Sequence, residues 1–281
     1  MADYKIFTGN DWVNASFDPV NIPVDTDLVV IPHDVTGNKT DTTPNADNVD
    51  LGLLQTHPGF RGDFGASGAP IQTAADLVVH QGSGAFYYEC TDDGAPNLST
   101  DEVRIEAANA STIAVLSTDA AATLGDFQTI IVSRGNLTLD ASIAFHASAI
   151  VKVASMGNVA SDATLTIAAG APTLPTLRQS GGTSIVHNVV TAFTMKAGTC
   201  FKWTAKVTNA IIQGGTFVYN HAALDADNTT IEVEAGGTLD LMQNAVKKVI
   251  DKVIAHHGSN VLYDKNMHTI TDFDDRRTRR G

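Results

Sequence analysis

Charge and aromatic rings are scarce in this chain: of 281 residues, 17% are charged and 6% aromatic, against 43% that are apolar. That balance excludes a disordered polyelectrolyte and favours a folded chain with a narrow interior that admits few large side chains. Cysteine is nearly absent. Cys90 and Cys200 are the only two, and neither sits in a CxxC or near histidines at zinc spacing, so they are expected as buried thiols in a reducing compartment. Basic residues are outnumbered, 18 against 31 acids, for a net charge of -13. This argues against nucleic acid or an anionic membrane as partner. No stretch approaches the roughly 20 apolar residues of a membrane span. The segment "MADYKIFTGNDW" has no basic run followed by an apolar one, so the expectation is a soluble protein made in the cytoplasm.

Enzyme signatures are missing too. The nine histidines are scattered without HExxH or HxH spacing, and neither a strand-to-helix GxGxxG nor GxxxxGK[ST] occurs. The stretch Asp225–Gly236 starts like a calcium loop, but it has Thr230 where the loop needs Gly and Gly236 where it needs Glu. Acids such as Asp92, Asp93, Asp119, Asp126, Asp140 and Asp162 fall at turns, where a short carboxylate bonds to neighbouring backbone. "RGD" at Arg61–Asp63 reads as an exposed Gly-rich loop. The expectation is therefore a protein that is not an enzyme, with no catalytic residues, cofactor or metal.

What is present is repetition. "IIQGGTFVYN" at 211–220 and "IEVEAGGTLDL" at 231–241 are two versions of one phrase, apolar residues alternating into Gly-Gly-Thr and out again. From about Ile71 onward, short alternating segments such as "DLVVHQ", "GAFYYEC", "TIAVLS", "NLTLDAS" and "ATLTIAA" follow one another, which points to an all-β fold. Hairpin dipeptides are few. Gly135, Gly157, Gly182, Gly198, Gly215 and Gly237 instead recur at intervals of 22, 25, 16, 17 and 22, a period of about 20 that suits the coils of a parallel β-helix or β-solenoid. Glycine suits the corners of such coils because it takes φ > 0 without a steric cost. Ile211, Val218, Ile231, Val233, Leu239 and Leu241 are then expected to point inward and stack, with Gly237–Leu241 as the last rung.

Four regions follow from this. Residues 1–70 form an irregular segment rich in Pro, Gly, Asn and Asp, with one strand at Leu28–Ile31, and 71–241 form the solenoid. In "LMQNAVKKVIDKVIAHHG" the apolar residues Met242, Ala245, Val246, Val249, Ile250, Val253 and Ile254 recur at i, i+3, i+4 and i+7. That spacing predicts an amphipathic helix over 242–258, capping the open edge of the stack, with His256 and His257 at its C-terminal end. Residues 259–281 form a tail ending in Arg276, Arg277, Arg279 and Arg280.

The N-terminal "DWVNASFDPVNIPVDTDLVVIP", the glycine-punctuated β region with its "GGT" corners and the terminal helical pattern together resemble structural proteins of tailed-bacteriophage particles, namely β-helical head decoration or cement proteins and adhesin-like spikes and fibres. The resemblance implies a virion protein assembled in the host cytoplasm that binds the major capsid protein or neighbouring virion proteins, as a possible dimer or trimer. It implies Trp12, Phe17, Phe60, Arg61, Phe64 and the four tail arginines as partner contacts. The runner-up is a polysaccharide-binding or depolymerising β-helix like a tailspike.

Overall fold

The computed structural model describes residues 4–42, 49–91, 100–118, 127–154, 162–203, 206–219, 227–243 and 248–277. Among them the elements are β-strands, save one 3-10 turn at Asn14–Ser16, and the strands pair mostly in parallel. Contacts divide the chain into two compact units, Met1–Ala149 and Ile150–Gly281.

In the first unit one ladder runs through Tyr4–Phe7, Leu28–Ile31, Leu53–Thr56, Leu77–His80, Thr100–Glu106 and the first part of Phe127–Leu139. A second ladder joins Ile71–Gln72, Phe86–Cys90, Ile113–Thr118 and the last part of Phe127–Leu139. Gly135, with φ 110°, divides the two parts of that long strand. The first ladder is held in register by an inward column, Val29, Leu54, Val78, Val103 and Ile130, none more than 1% exposed. Parallel neighbours lie roughly 4.8 Å apart, so each residue stacks on its equivalent, and a one-residue slip would turn the whole column outward.

The second unit repeats the scheme with shorter coils. Leu177, Phe193, Ala210, Ile231 and Val253 are paired rung to rung, and all are at most 1% exposed. The facing ladder runs Ala163–Ile167, Thr183–Val186, Thr199–Trp203, Gly215–Tyr219, Gly237–Asp240 and Asn260–Leu262. The two repeated phrases lie one upon the other, Gly215 on Gly237, Thr216 on Thr238 and Phe217 on Leu239. Gly215 has φ 78°, and a Cβ there would fall 2.5 Å from the Gly198 carbonyl oxygen one coil below. Gly215→Ala combines a left-handed backbone with this clash and is expected to cost about 1–3 kcal/mol, read from the urea midpoint at unchanged m-value.

Three sequence expectations need correction. The segment expected to be a capping helix over 242–258 is not helical where it is described: Lys248–Ala255 is a strand paired in parallel with Asp227–Val233 and His268–Asp275, and 244–247 lie outside the described residues. Valine–isoleucine pairs satisfy a helical spacing and a strand equally over so short a run, and an open parallel edge at Asp227–Val233 decides for the strand. Gly237–Leu241 is accordingly not the last rung, since Asn260–Leu262 pairs beyond it. Ile211 points outward, 37% exposed, while its neighbour Ile212 is buried in the core. Val218 also lies off the inward face: it is 5% exposed, but it pairs with Asp240 while its neighbour Phe217 pairs with Leu239 in the core. Ile231, Val233, Leu239 and Leu241 are buried as expected.

The ladder of the first unit also takes in Tyr4–Phe7, Leu28–Ile31 and Leu53–Thr56, ahead of the boundary placed at residue 71. Its first rung is closed on the outer edge by an antiparallel strand, Phe17–Asp18, with Phe7 opposite Phe17. Phe7 stacks on Phe17 at 4.7 Å, and Trp12 meets both rings edge-on at 5.1 Å. Over Phe7, at 4.9 Å, lies the Lys39 ammonium, which donates to the carbonyls of Thr8 and Gly9. Burial draws the Lys39 pKa down to about 8.

Candidate functional site

The aromatic residues expected to meet a partner are occupied within the fold. Trp12, Phe17, Phe60 and Phe64 are at most 1% exposed: the first two belong to the ring cluster over the first rung, and Phe64 stacks on Phe86 at 4.9 Å. Their rings belong to the core of the chain. Arg61 is exposed, but the rest of the RGD triplet builds a corner. A Cβ on Gly62 would lie 2.3 Å from the Gly37 carbonyl oxygen, and the Asp63 carboxylate accepts from the Ala85 N–H at 2.7 Å.

The described part of the tail continues the strand His268–Asp275, with the Arg276 N–H bonded to the Ala255 carbonyl at 2.8 Å. Arg276 and Arg277 bond to Asp274 and Asp275 at 2.6 and 2.7 Å, and the Arg277 guanidinium lies over Phe273 at 5.5 Å. The hydrogen bond from Arg277 holds the Asp275 carboxyl down at about 2. These two arginines therefore bring little uncompensated charge to a partner, and Arg279 and Arg280 lie outside the described residues. His256 and His257 serve the same end: His256 pairs with Glu232 at 2.6 Å, and His257 Nδ1 donates to the Arg277 carbonyl at 2.9 Å.

What the first unit does offer is an outward apolar column that the sequence reading overlooked. In the first ladder Tyr4 pairs with Leu28 and Leu28 with Leu53, and Leu77 follows on the next rung beside the Leu54–Val78 pair. All four alternate with inward residues. Tyr4 is 54% exposed, and the three leucines are half-buried. The neighbouring outward column holds Val30 and Val79, which the chain itself covers to 5% and 8% exposure. The signal lay in "LVVI" and "LVVH", continuous apolar runs of the kind that parallel strands show when both faces are covered.

Cys90 and Cys200 are free and buried, and burial pushes the Cys200 thiol up to about 12, far from a nucleophilic thiolate. Among the described residues no three metal-ligating side chains gather. Asp50 stands near Asp25, Asp76 and Asp101; burial first, and then their charges, raise its pKa. No family model, curated protein or solved structure matches the chain.

Proposed function

We propose that the chain folds as a β-solenoid and serves as a structural component of a tailed-phage particle, bound through its flank to the major capsid protein or to a neighbouring virion protein, with assembly as a dimer or trimer. The observation that carries this reading is the outward column Tyr4, Leu28, Leu53 and Leu77. A parallel sheet is ordinarily covered on both faces, and a partly exposed apolar column on an acidic chain fits burial against another protein. In-register stacking supports it, because a surface built on rigid strands keeps its shape when a partner docks. The resemblance in glycine-cornered coils points to the virion as the place.

The test has two parts. Mass spectrometry of purified particles from the producing strain is expected to find the chain as a stoichiometric component. Leu53→Lys, an outward substitution that leaves the core intact, is expected to weaken rebinding to particles stripped of the protein by about tenfold or more, with an unchanged melting temperature. Absence from the particles, or rebinding by Leu53→Lys as tight as that of the parent, would overturn the proposal.

A further inference from the structure

On the second ladder of the first unit, the outward face forms a groove of about 410 Å³ lined by Tyr87, Glu89, Val115, Ser117, Thr138 and Asp140, with the turn through Ala66–Pro70 as its wall. The volume falls within the range of small-molecule sites, roughly 300–1,000 Å³. Three coils supply the floor. Tyr87, Val115 and Thr138 pair in one column, Glu89 pairs with Ser117 in the next, and Asp140 follows Leu139 on the third rung, its N–H bonded to the Leu116 carbonyl at 2.9 Å.

The polar groups are held in place. Glu89 accepts from Gln72 Nε2 and, at 3.1 Å, from the Ser117 hydroxyl, so its carboxylate is fixed before any ligand arrives. Asp140 caps its own turn through the Ser142 N–H at 3.3 Å and remains exposed. The wall is a tight turn in which Ala66 and Ala69 exchange N–H···O bonds of 2.9 Å. It sits so close to the floor that a Cβ on Gly65 would lie 2.5 Å from the Tyr87 carbonyl oxygen. Tyr87 is half-buried, with the groove on its open side.

We infer that this groove binds a neutral saccharide, with the Tyr87 ring as a stacking platform and Glu89, Asp140, Ser117 and Thr138 as partners for sugar hydroxyls. Carboxylates accept and hydroxyls both accept and donate, which matches the vicinal O–H groups of a sugar. None of the lining residues is basic, so two carboxylates repel phosphates, uronic acids and nucleic acid. An aromatic ring beside a patch of small residues offers the flat apolar contact that a pyranose face fills. The columns also advance by roughly 4.8 Å per rung, close to the step between consecutive rings of an extended glycan.

This inference is independent of the flank-binding role, which uses the other ladder. The test is saturation-transfer NMR and calorimetry on the full chain with a panel of neutral gluco-, galacto- and manno-oligosaccharides. Two variants accompany it: Tyr87→Ala, which removes the platform, and Val115→Trp, which fills the groove from a strand position that tolerates an aromatic. Binding of at least one neutral oligosaccharide, weakened about tenfold by Tyr87→Ala and abolished by Val115→Trp with both melting curves unchanged, is the expected result. Should one variant unfold, the other carries the test alone; should both unfold, protection of the Tyr87 ring protons by the oligosaccharide in the parent chain decides it. No binding across the panel, binding that neither variant alters, or preference for a basic peptide or a divalent cation overturns the inference.

Discussion

Trp12→Ala is expected to destabilise the first unit by about 3–5 kcal/mol, the usual cost of deleting a fully buried large aromatic side chain. Trp12 is 0% exposed and touches Phe7 and Phe17, the two residues that join the first rung to the antiparallel strand closing it. Removing the indole leaves a cavity and loosens that closing strand, which would expose the edge of Tyr4–Phe7. The expected readout is a lower denaturation midpoint together with faster amide exchange in Tyr4–Phe7 and Leu28–Ile31. A midpoint within 1 kcal/mol of the parent would show that the ring cluster does not close the stack. Trp12→Phe, which keeps a ring in the cavity, should recover much of the loss.

Acid is expected to weaken the same unit through one histidine. His80 is 0% exposed, stacked on Phe86 at 4.7 Å and bonded through Nδ1 to the Thr56 hydroxyl at 2.8 Å. That hydroxyl already accepts the Gln81 and Gly82 N–H groups at 3.0 and 3.2 Å, so its one proton points at Nδ1, and the ring is neutral. Burial pulls the His80 pKa down from 6.5 to about 4. The unfolded chain therefore binds the proton more readily than the folded one, and stability falls as pH drops. The contribution is full above pH 6.5 and is lost progressively between about 6.5 and 4, by about 3 kcal/mol in total. Urea titrations at several pH values should show this slope in the parent chain and lose most of it in His80→Gln. An equal slope in both would assign the acid sensitivity to the carboxylates.

Much of the architecture could be read from residues whose role is local. Gly215 and Gly237 mark equivalent places on successive coils, and the alternation of Ile231, Val233 and Leu239 shows which face is buried. Where local pattern served two masters, the reading failed: "KKVIDKVIA" suits a helix face and a strand, and only the neighbouring rung chooses. The rings of the N-terminal region misled for a related reason. Phe60 and Phe64 stand in a stretch of Gly, Pro and Asp that looks like surface, yet Phe64 is buried by Phe86, which lies a full coil away. The groove left no local trace, since Tyr87, Ser117 and Asp140 come from three separate coils. Its signal becomes visible once the register is known, because the outward letters of "FYYEC", "IAVLST" and "NLTLD" then fall into line.

The same register has a consequence for synthesis. Inward neighbours along the main column are separated by 24 to 27 residues from Val29 to Ile130 and by 16 to 22 from Leu177 to Val253. Within each unit no such rung waits on residues far downstream. At roughly 5–20 residues per second, a ribosome delivers a new coil about every one to five seconds, and each coil finds the previous one as its template. The Trp12 cluster precedes the coils in sequence, so the side of the first rung facing away from the growing stack can be shut before the second strand of the ladder is made. Along that ladder the nascent chain then presents one adhesive edge at a time, and that edge is the one its own next coil is about to cover.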